Sequence, residues 1–272
     1  MNPIEDFLST LTSPRTAERY RSALDEFTEW YTSTTGAGVD WNLLTAVEVK
    51  DYTAYLQTVR RLSPASVNLR LAAIRSLLRH LGRTLKVKGP KQVTPPLKAL
   101  SARELGRLFA AAEGSTRDTA ILNLMARAGL RVGEVVRLRL GDVEMNGRSG
   151  WLTVRGGKGN KTRRVPLNGE VRQALKAWLD ERPKVELDWL FLSRSGRALA
   201  ERDVQRMVAE YARVAGVEAT PHTLRHTFAT RAIEKGVDVA TLAAILGHSR
   251  IETTGRYLHP TAERIQDAVE GV

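Results

Sequence analysis

Residues 151–167, WLTVRGGKGNKTRRVPL, form a stretch that interrupts a chain otherwise patterned as helices. Apolar and polar residues alternate at its two ends, a period typical of β-strands. Between the two ends lie residues that suit a tight turn: Gly156, Gly157, Gly159 and Asn160. The stretch therefore predicts a hairpin of two short strands, over 151–155 and 163–167.

On either side of the hairpin, the start of a helix is marked by an N-cap residue followed by proline or by a capping box. Four such starts precede the hairpin: Ser13 with Pro14, Thr45 with Glu48, Ser63 with Pro64, and Ser101 with Glu104. The predicted helices cover 14–32, 45–59, 64–81, 101–113, 116–129, 132–139, 168–182, 201–214, 222–235, 238–246 and 261–270. The predicted fold class is mainly α with a small antiparallel β-sheet.

A basic segment rich in proline divides the chain. It contains Gly89, Pro90, Pro95 and Pro96 with four lysines, and it shows little hydrophobic periodicity. Proline disfavours helix and biases the preceding residue towards extended backbone. We therefore predict a helical domain over 1–82, a linker over 83–99 and a second domain over 100–272.

The composition is that of a soluble, globular and basic protein. The chain has 272 residues and a net charge of +12, from 42 basic and 30 acidic residues, which favours a polyanionic partner. It contains no cysteine, so disulfides and thiolate metal sites are excluded. No apolar run reaches 18 residues, and the N-terminus lacks a signal-peptide pattern, so an intracellular, cytoplasmic protein is expected.

The positive charge is concentrated in one stretch. No acidic residue occurs between Asp51 and Glu104, whereas eleven lysines and arginines do. In the helix predicted over 64–81, Asn68, Arg75 and Arg79 share one flank of an apolar stripe formed by Val67, Leu71, Ile74, Leu78 and Leu81. This flank, together with Lys91 of the linker, is a candidate DNA-binding surface, although a solvated helix flank is the ordinary alternative.

Several residues of the second domain can carry chemistry. They are Arg131 in GLRVGE, Lys158 in GGKGNK, His222 and Arg225 in HTLRH, His248 in LGHS, and Tyr257 in TTGRYLH. Each has an ordinary explanation on its own; Arg131, for example, could simply pair with Glu134. The spacing of His222 and His226 is zinc-like, but the glutamate of an HExxH motif is missing, so zinc is disfavoured.

Taken together, these residues suit a phosphate site. Two arginines can grip the oxygens in a bidentate way, and a lysine or histidine can transfer a proton. Nearby cations favour the phenolate of a tyrosine and so activate it as a nucleophile. Metal-dependent nucleases need several carboxylates, and no such cluster accompanies these motifs. The pattern therefore predicts a metal-independent reaction at phosphate.

In this order and at these gaps, the motifs GLRVGE, GGKGNKTRRVPL, HTLRH, LGHS and RY resemble those of the tyrosine recombinases, or phage-type integrases. The resemblance implies that Arg131 and Arg225 bind the scissile phosphate, that Lys158 protonates the 5′ oxygen, and that His222 assists proton transfer. It further implies the following roles: His248 hydrogen-bonds the phosphate, Tyr257 attacks to form a 3′-phosphotyrosine, and Glu134 supports the site. No nucleotide cofactor is needed, because the phosphotyrosyl ester conserves the bond energy.

The resemblance also implies an architecture. A helical, SAM-like core-binding domain and a catalytic domain would clamp double-stranded DNA like a C, and four protomers would assemble on two specific sites and exchange strands through a Holliday junction. Free protein would be a monomer or weak oligomer, and accessory proteins would be possible partners. The segment 261–272 would dock on a neighbouring protomer or remain a frayed terminal helix. No room is expected for an additional arm-binding domain before residue 13.

Three functions stay open from the sequence alone. The first is a recombinase, either a Xer-like resolvase or a compact integrase. The second is a type IB topoisomerase, which uses similar chemistry without needing two sites. The third is a DNA-binding protein that has lost catalysis, which the filled set of catalytic positions disfavours.

Overall fold

The computed structural model describes residues 2–92, 98–155 and 162–247. Three predicted site residues, Lys158, His248 and Tyr257, lie outside the described residues, as does the helix predicted over 261–270. The chain forms two compact units, Met1–Pro95 and Pro96–Val272. The domain and linker boundaries given above stay predictions.

The first unit is helical. Its elements are α1 (Pro3–Ser9), α2 (Pro14–Thr35), α3 (Ala46–Thr58) and α4 (Pro64–His80). The helices α2, α3 and α4 begin at the positions that their N-cap residues predicted. The hydroxyl of Ser13 accepts from the backbone N–H of Thr16, and Thr45 forms its capping box with Glu48. The short helix α1, capped by Asn2, was not predicted.

The core of the first unit is built on the predicted stripe of α4 and on aromatic rings of α2 and α3. Every member of the stripe is buried except Leu81, which is half-buried, and Ala73 and Leu77 are buried with them. Phe27 is fully buried, with its ring centroid 5.0 Å from that of Tyr52 and 5.4 Å from that of Trp41. Burial of these rings and aliphatic groups stabilises the unit.

The second unit contains seven α-helices among its described residues. These elements are α5 (Ala102–Ala111), α6 (Thr116–Arg127), α7 (Val132–Val135), α8 (Gly169–Glu181), α9 (Glu201–Ala215), α10 (Pro221–Glu234) and α11 (Val239–Leu246). The helix α6 packs against α8 and α10 and is buried on most of its surface, so it forms the centre of the core. In the described part of the chain, no helix is both long and apolar enough to cross a membrane.

A three-stranded antiparallel sheet of order β1-β2-β3 completes the second unit: β1 (Val143–Met145), β2 (Gly150–Val154) and β3 (Arg163–Pro166). The predicted hairpin is present, with Val154 opposite Arg163 and Leu152 opposite Val165. The prediction missed β1, whose three residues are too few to show a period of two.

The helix predicted over 132–139 is wrong in its length, because α7 ends at Val135. After a turn at Val136 and Arg137, residues 138–140 pair with residues 188–190. The N–H of Leu190 donates to the carbonyl oxygen of Leu138, and the N–H of Leu140 donates to that of Asp188, both at 2.8 Å. This non-local pairing replaces the helical hydrogen bonds that the local sequence favours.

Replacing Phe27 with alanine is expected to lower the free energy of unfolding of the first unit by about 3–5 kcal/mol, because it removes a buried ring and leaves a cavity. Urea unfolding followed by tryptophan fluorescence measures the loss. The matched control is Val59→Ala, at a side chain that is exposed, where the change should stay within about 0.5 kcal/mol. Equal effects of the two substitutions would contradict the assigned core.

Candidate active site

The predicted site is organised around one buried carboxylate, that of Glu134. Glu134 lies in the first turn of α7, and its side chain is 1% exposed. The backbone N–H of Arg131, the N-cap residue, donates to its Oε2 at 2.8 Å, and the Arg131 guanidinium donates to its Oε1 at 2.9 Å. The carboxylate therefore caps α7 and fixes the side chain of Arg131.

Two further arginines reach the same carboxylate from distant parts of the sequence. Arg163 of β3 donates to both oxygens, from Nη1 to Oε1 and from Nη2 to Oε2, each at 2.9 Å. An Nη atom of Arg225, on α10, lies 3.7 Å from Oε2. Because three guanidiniums face one carboxylate, the cluster keeps an excess of positive charge that suits an anion.

The ionisation of Glu134 follows from these contacts. Burial of the carboxyl group opposes its charged form, but the hydrogen bonds from Arg163 and from the backbone N–H of Arg131 outweigh burial and lower its pKa to about 2. Glu134 is therefore a carboxylate throughout the neutral range and cannot act as a proton donor there.

The same three arginines bind the carboxyl end of α11. Arg163 Nε donates to the carbonyl oxygen of Ile245 at 2.6 Å, while Arg225 and Arg131 both donate to that of Leu246, at 2.7 Å and 3.2 Å. The last carbonyls of a helix lack helical partners and carry partial negative charge, so cations are favourable there. The cluster therefore fixes the chain two residues before His248.

Two glycines make this close packing possible. Gly247 has φ of +64°, and a Cβ there would lie 2.8 Å from Nη1 of Arg163. Gly129 has φ of +70°, a Cβ there would lie 2.5 Å from the ring of Phe228, and its carbonyl oxygen accepts from Arg225 at 2.5 Å. Glycine is therefore required by both backbone conformation and space at the first position of GLRVGE, Gly129, and in LGHS, at Gly247.

The two histidines of HTLRH have different environments. His222 is exposed in the first turn of α10, which Thr220 caps, and it precedes Arg225 by one turn, so the two residues share a side of the helix. His226 is buried. Within the described ranges, no group of three or more His, Asp or Glu side chains could hold a metal ion.

The structure therefore brings together Arg131, Glu134 and Arg225 of the predicted site, and it places His222 one turn from Arg225. It adds Arg163, which sequence reasoning missed. One signal could have revealed it: in β3, residue 163 shares a face with the buried Val165, and a charge on an inward face needs a partner.

The candidate DNA-binding residues of the first unit fall into two groups. The side chain of Asn68 donates to the carbonyl oxygen of Pro90 at 3.0 Å, and that of Arg75 donates to the carbonyl oxygen of Val87. These two residues hold the segment that follows α4. Arg79 and Lys91 are exposed, so they are the more accessible candidates for phosphate contact.

Replacing Glu134 with glutamine is expected to lower the free energy of unfolding at pH 7 by roughly 3–5 kcal/mol, because buried guanidiniums lose their counter-charge. The pKa of about 2 lies below the ordinary 4.5. The carboxylate's contribution is therefore complete above about pH 4.5 and declines as the pH falls towards 2. Urea unfolding at several pH values should show the gap to wild type narrowing below pH 4.5.

The control for this prediction is Glu210→Gln, which removes an exposed carboxylate paired with Arg213. Its effect at pH 7 should be small beside that of Glu134→Gln, because an exposed ion pair contributes little to stability. A gap between wild type and Glu134→Gln that is equally wide at pH 7 and pH 3 would contradict the assigned ionisation of Glu134.

Comparison with known proteins places this site in a family. The chain matches the Phage integrase family over residues 98–264 and the Phage integrase, N-terminal SAM-like domain over residues 4–86. It is 34% identical to Tyrosine recombinase XerA of Thermococcus kodakarensis, over 98% of this chain and 94% of that protein. It is 32% identical to Tyrosine recombinase XerD of Listeria monocytogenes, over 97% of this chain and 96% of that protein.

A solved structure supports the fold. The chain is similar to XerH site-specific recombinase bound to difH substrate, with a TM-score of 0.76 and 23% identity, over 93% of this chain and 78% of that one. The mainly α architecture with a small antiparallel sheet is confirmed by this likeness and by the described elements. The chain therefore belongs to the phage integrase family, and it is a site-specific tyrosine recombinase.

Proposed function

We propose that this recombinase cuts and rejoins double-stranded DNA by attack of Tyr257 on a phosphate held by Arg131 and Arg225. The observation that carries the proposal is the arginine cluster on Glu134, which contacts the carbonyl oxygen of Leu246, two residues before His248. The side chain of Arg131 is 41% exposed, so it is the accessible member of the cluster. A fixed pair of guanidiniums can stabilise the charge that develops on a phosphate.

In the proposed reaction, the hydroxyl oxygen of Tyr257 forms a bond to phosphorus, and the bond from phosphorus to the 5′ oxygen breaks. His222 takes the tyrosine proton, Lys158 gives a proton to the 5′ oxygen, and His248 hydrogen-bonds the phosphate. The products are a 3′-phosphotyrosine and a free 5′ hydroxyl. Attack by a 5′ hydroxyl of a partner strand reverses these steps and reseals the DNA without a metal ion or nucleotide.

We further propose a homotetramer on two DNA sites that passes through a Holliday junction, with the segment 261–272 docking on a neighbouring protomer. Identity to Xer relatives along nearly the whole chain supports a two-site recombinase over a topoisomerase or a non-catalytic binding protein. The proposal includes action on DNA in the cytoplasm or nucleoid. Both a Xer-like resolvase and a compact integrase fit this proposal.

Tyr257→Phe is expected to abolish covalent complex formation and to leave DNA affinity nearly unchanged, because it removes only the attacking oxygen. The substrate is a duplex selected from a random-sequence pool by binding to this variant, then nicked near its centre so that cleavage is trapped. Denaturing gels with EDTA present should show a shifted band for wild type alone.

The matched control is Tyr211→Phe, which removes a hydroxyl that donates to Asp118 elsewhere in the second unit. This control should retain the covalent band. A band from Tyr257→Phe, or a wild-type band that EDTA abolishes, would contradict the proposed nucleophile or its metal independence.

Arg79→Glu is expected to weaken DNA binding and to make the logarithm of affinity less steep against the logarithm of salt concentration, by about one unit of slope for each phosphate that the protein no longer neutralises. Fluorescence anisotropy at several salt concentrations measures the slope. Since Arg79 is exposed, the substitution should leave the melting temperature nearly unchanged. An unaltered slope would remove this flank of α4 from the DNA interface.

A further inference from the structure

We propose that Arg163 is a positioning residue of the recombinase, which ties β3 to Glu134 and to the end of α11 so that the phosphate-binding arginines and the end of α11 keep one fixed geometry. The inference rests on the proposed function, because it assigns Arg163 a role in the same strand cleavage. Arg163 contacts no reacting atom in this scheme and acts through the groups that it holds.

The hydrogen bonds of Arg163 define this role. One planar guanidinium makes three bonds: two to the carboxylate of Glu134 at 2.9 Å and one to the carbonyl oxygen of Ile245 at 2.6 Å. Its side chain is only 13% exposed. A lysine could supply the charge, but its single ammonium group cannot reproduce a bidentate fork and a third bond in the same plane.

The three segments joined by Arg163 are those that bear on the proposed chemistry. Glu134 fixes Arg131, whose backbone and side chain it both binds. The strand β3 begins five residues after Lys158. The helix α11 ends two residues before His248. A shift of Arg163 would therefore move several groups relative to one another, and small misplacements are costly in a preorganised site.

A second observation points to the same residue. The guanidinium of Arg163 occupies the space that a Cβ at position 247 would fill, because that Cβ would lie 2.8 Å from Nη1 and 3.1 Å from Cζ. The glycine of the LGHS motif and Arg163 are therefore complementary. A side chain at this position would push the guanidinium away from Glu134.

The adjacent Arg164 offers a matched control on the same strand. It is exposed, its Nη2 lies 2.6 Å from a carboxylate oxygen of Glu144, and its guanidinium lies 5.1 Å from the ring centroid of Trp151. Alternation along β3 directs these two arginines to opposite faces of the sheet. Removing either arginine changes the net charge equally, so only the position differs.

The experiment is single-turnover cleavage of the nicked duplex by wild type, Arg163→Met, Arg163→Lys and Arg164→Met. Arg163→Met should slow cleavage by about 10- to 100-fold, as for other groups that orient catalytic residues. Its DNA affinity should change far less. Arg163→Lys should recover only part of the rate, and Arg164→Met should stay within about 3-fold of wild type, as expected of a substitution outside the site.

Two readouts separate positioning from general stability. If Arg163 acts through Glu134, the losses caused by Arg163→Met and Glu134→Gln should be strongly non-additive in the double variant. The ratio of the Arg163→Met cleavage rate to the wild-type rate should also fall as the pH is lowered from 7 towards 5, and taking the ratio removes any pH dependence that both proteins share. The reason is that the hydrogen bond from Arg163 does most to lower the pKa of the buried Glu134 carboxyl. All rates are compared below the melting temperature of each variant.

The inference is overturned if Arg163→Met, or Arg163→Lys where the methionine variant does not fold, cleaves at the wild-type rate. It is also overturned if Arg164→Met is impaired to the same degree. The proposed function is tested separately in the same gels, because wild-type cleavage must depend on Tyr257. Failure of the wild type counts against that function, whereas an active wild type with unimpaired Arg163 variants counts against the positioning role alone.

Discussion

The buried carboxylate of Glu134 is the constraint on which the arrangement of the second unit depends. A carboxylate with 1% exposure is strongly disfavoured unless cations and hydrogen bonds compensate it. Here the compensation comes from Arg131, Arg163 and Arg225, which belong to α7, β3 and α10. One negative charge therefore fixes three elements that are far apart in the sequence, and it leaves them with a surplus of positive charge.

The end of α11 is the second half of this arrangement. Its last carbonyls are acceptors with no helical partner, and the arginines that hold Glu134 also donate to them. Glycines at 129 and 247 allow the chains to approach this closely. The small sheet also contributes to this arrangement. The strand β3 directs Arg163 inward, and the apolar Leu152 and Val165 are buried in the core. Arg131, whose side chain is 41% exposed, is the member of the cluster that a phosphate can reach from solvent.

Local signals predicted much of the fold. Ser13, Thr45, Ser63 and Ser101 each open the helix that their caps indicated, since capping is decided by neighbouring residues. Two features of the fold were not predicted: the early end of α7 and the strand β1. The end of α7 depends on strand-like bonds to residues 188–190, and β1 is too short to show a period.

The candidate site shows the same difference between what local sequence predicts and what tertiary contacts decide. The motifs identified Arg131, Glu134 and Arg225, but the bonds of Asn68 and Arg75 to the segment after α4 depend on tertiary contacts that no local pattern encodes. Arg163 lies within the motif GGKGNKTRRVPL, yet only the alternation of β3 could have revealed its inward position. Sequence patterns therefore predict candidates for the chemistry, and the structure adds the hydrogen bonds by which Arg163 joins Glu134 to the end of α11.

Attack by Tyr257 is tested most directly by identifying the protein atom that becomes bonded to DNA. Wild-type protein is trapped on the nicked duplex with EDTA present, digested with nuclease and trypsin, and analysed by mass spectrometry. We expect a nucleotide adduct on the peptide 257–264, YLHPTAER, whose single tyrosine is Tyr257. An adduct on any other residue, or cleaved DNA with no adduct, would contradict it.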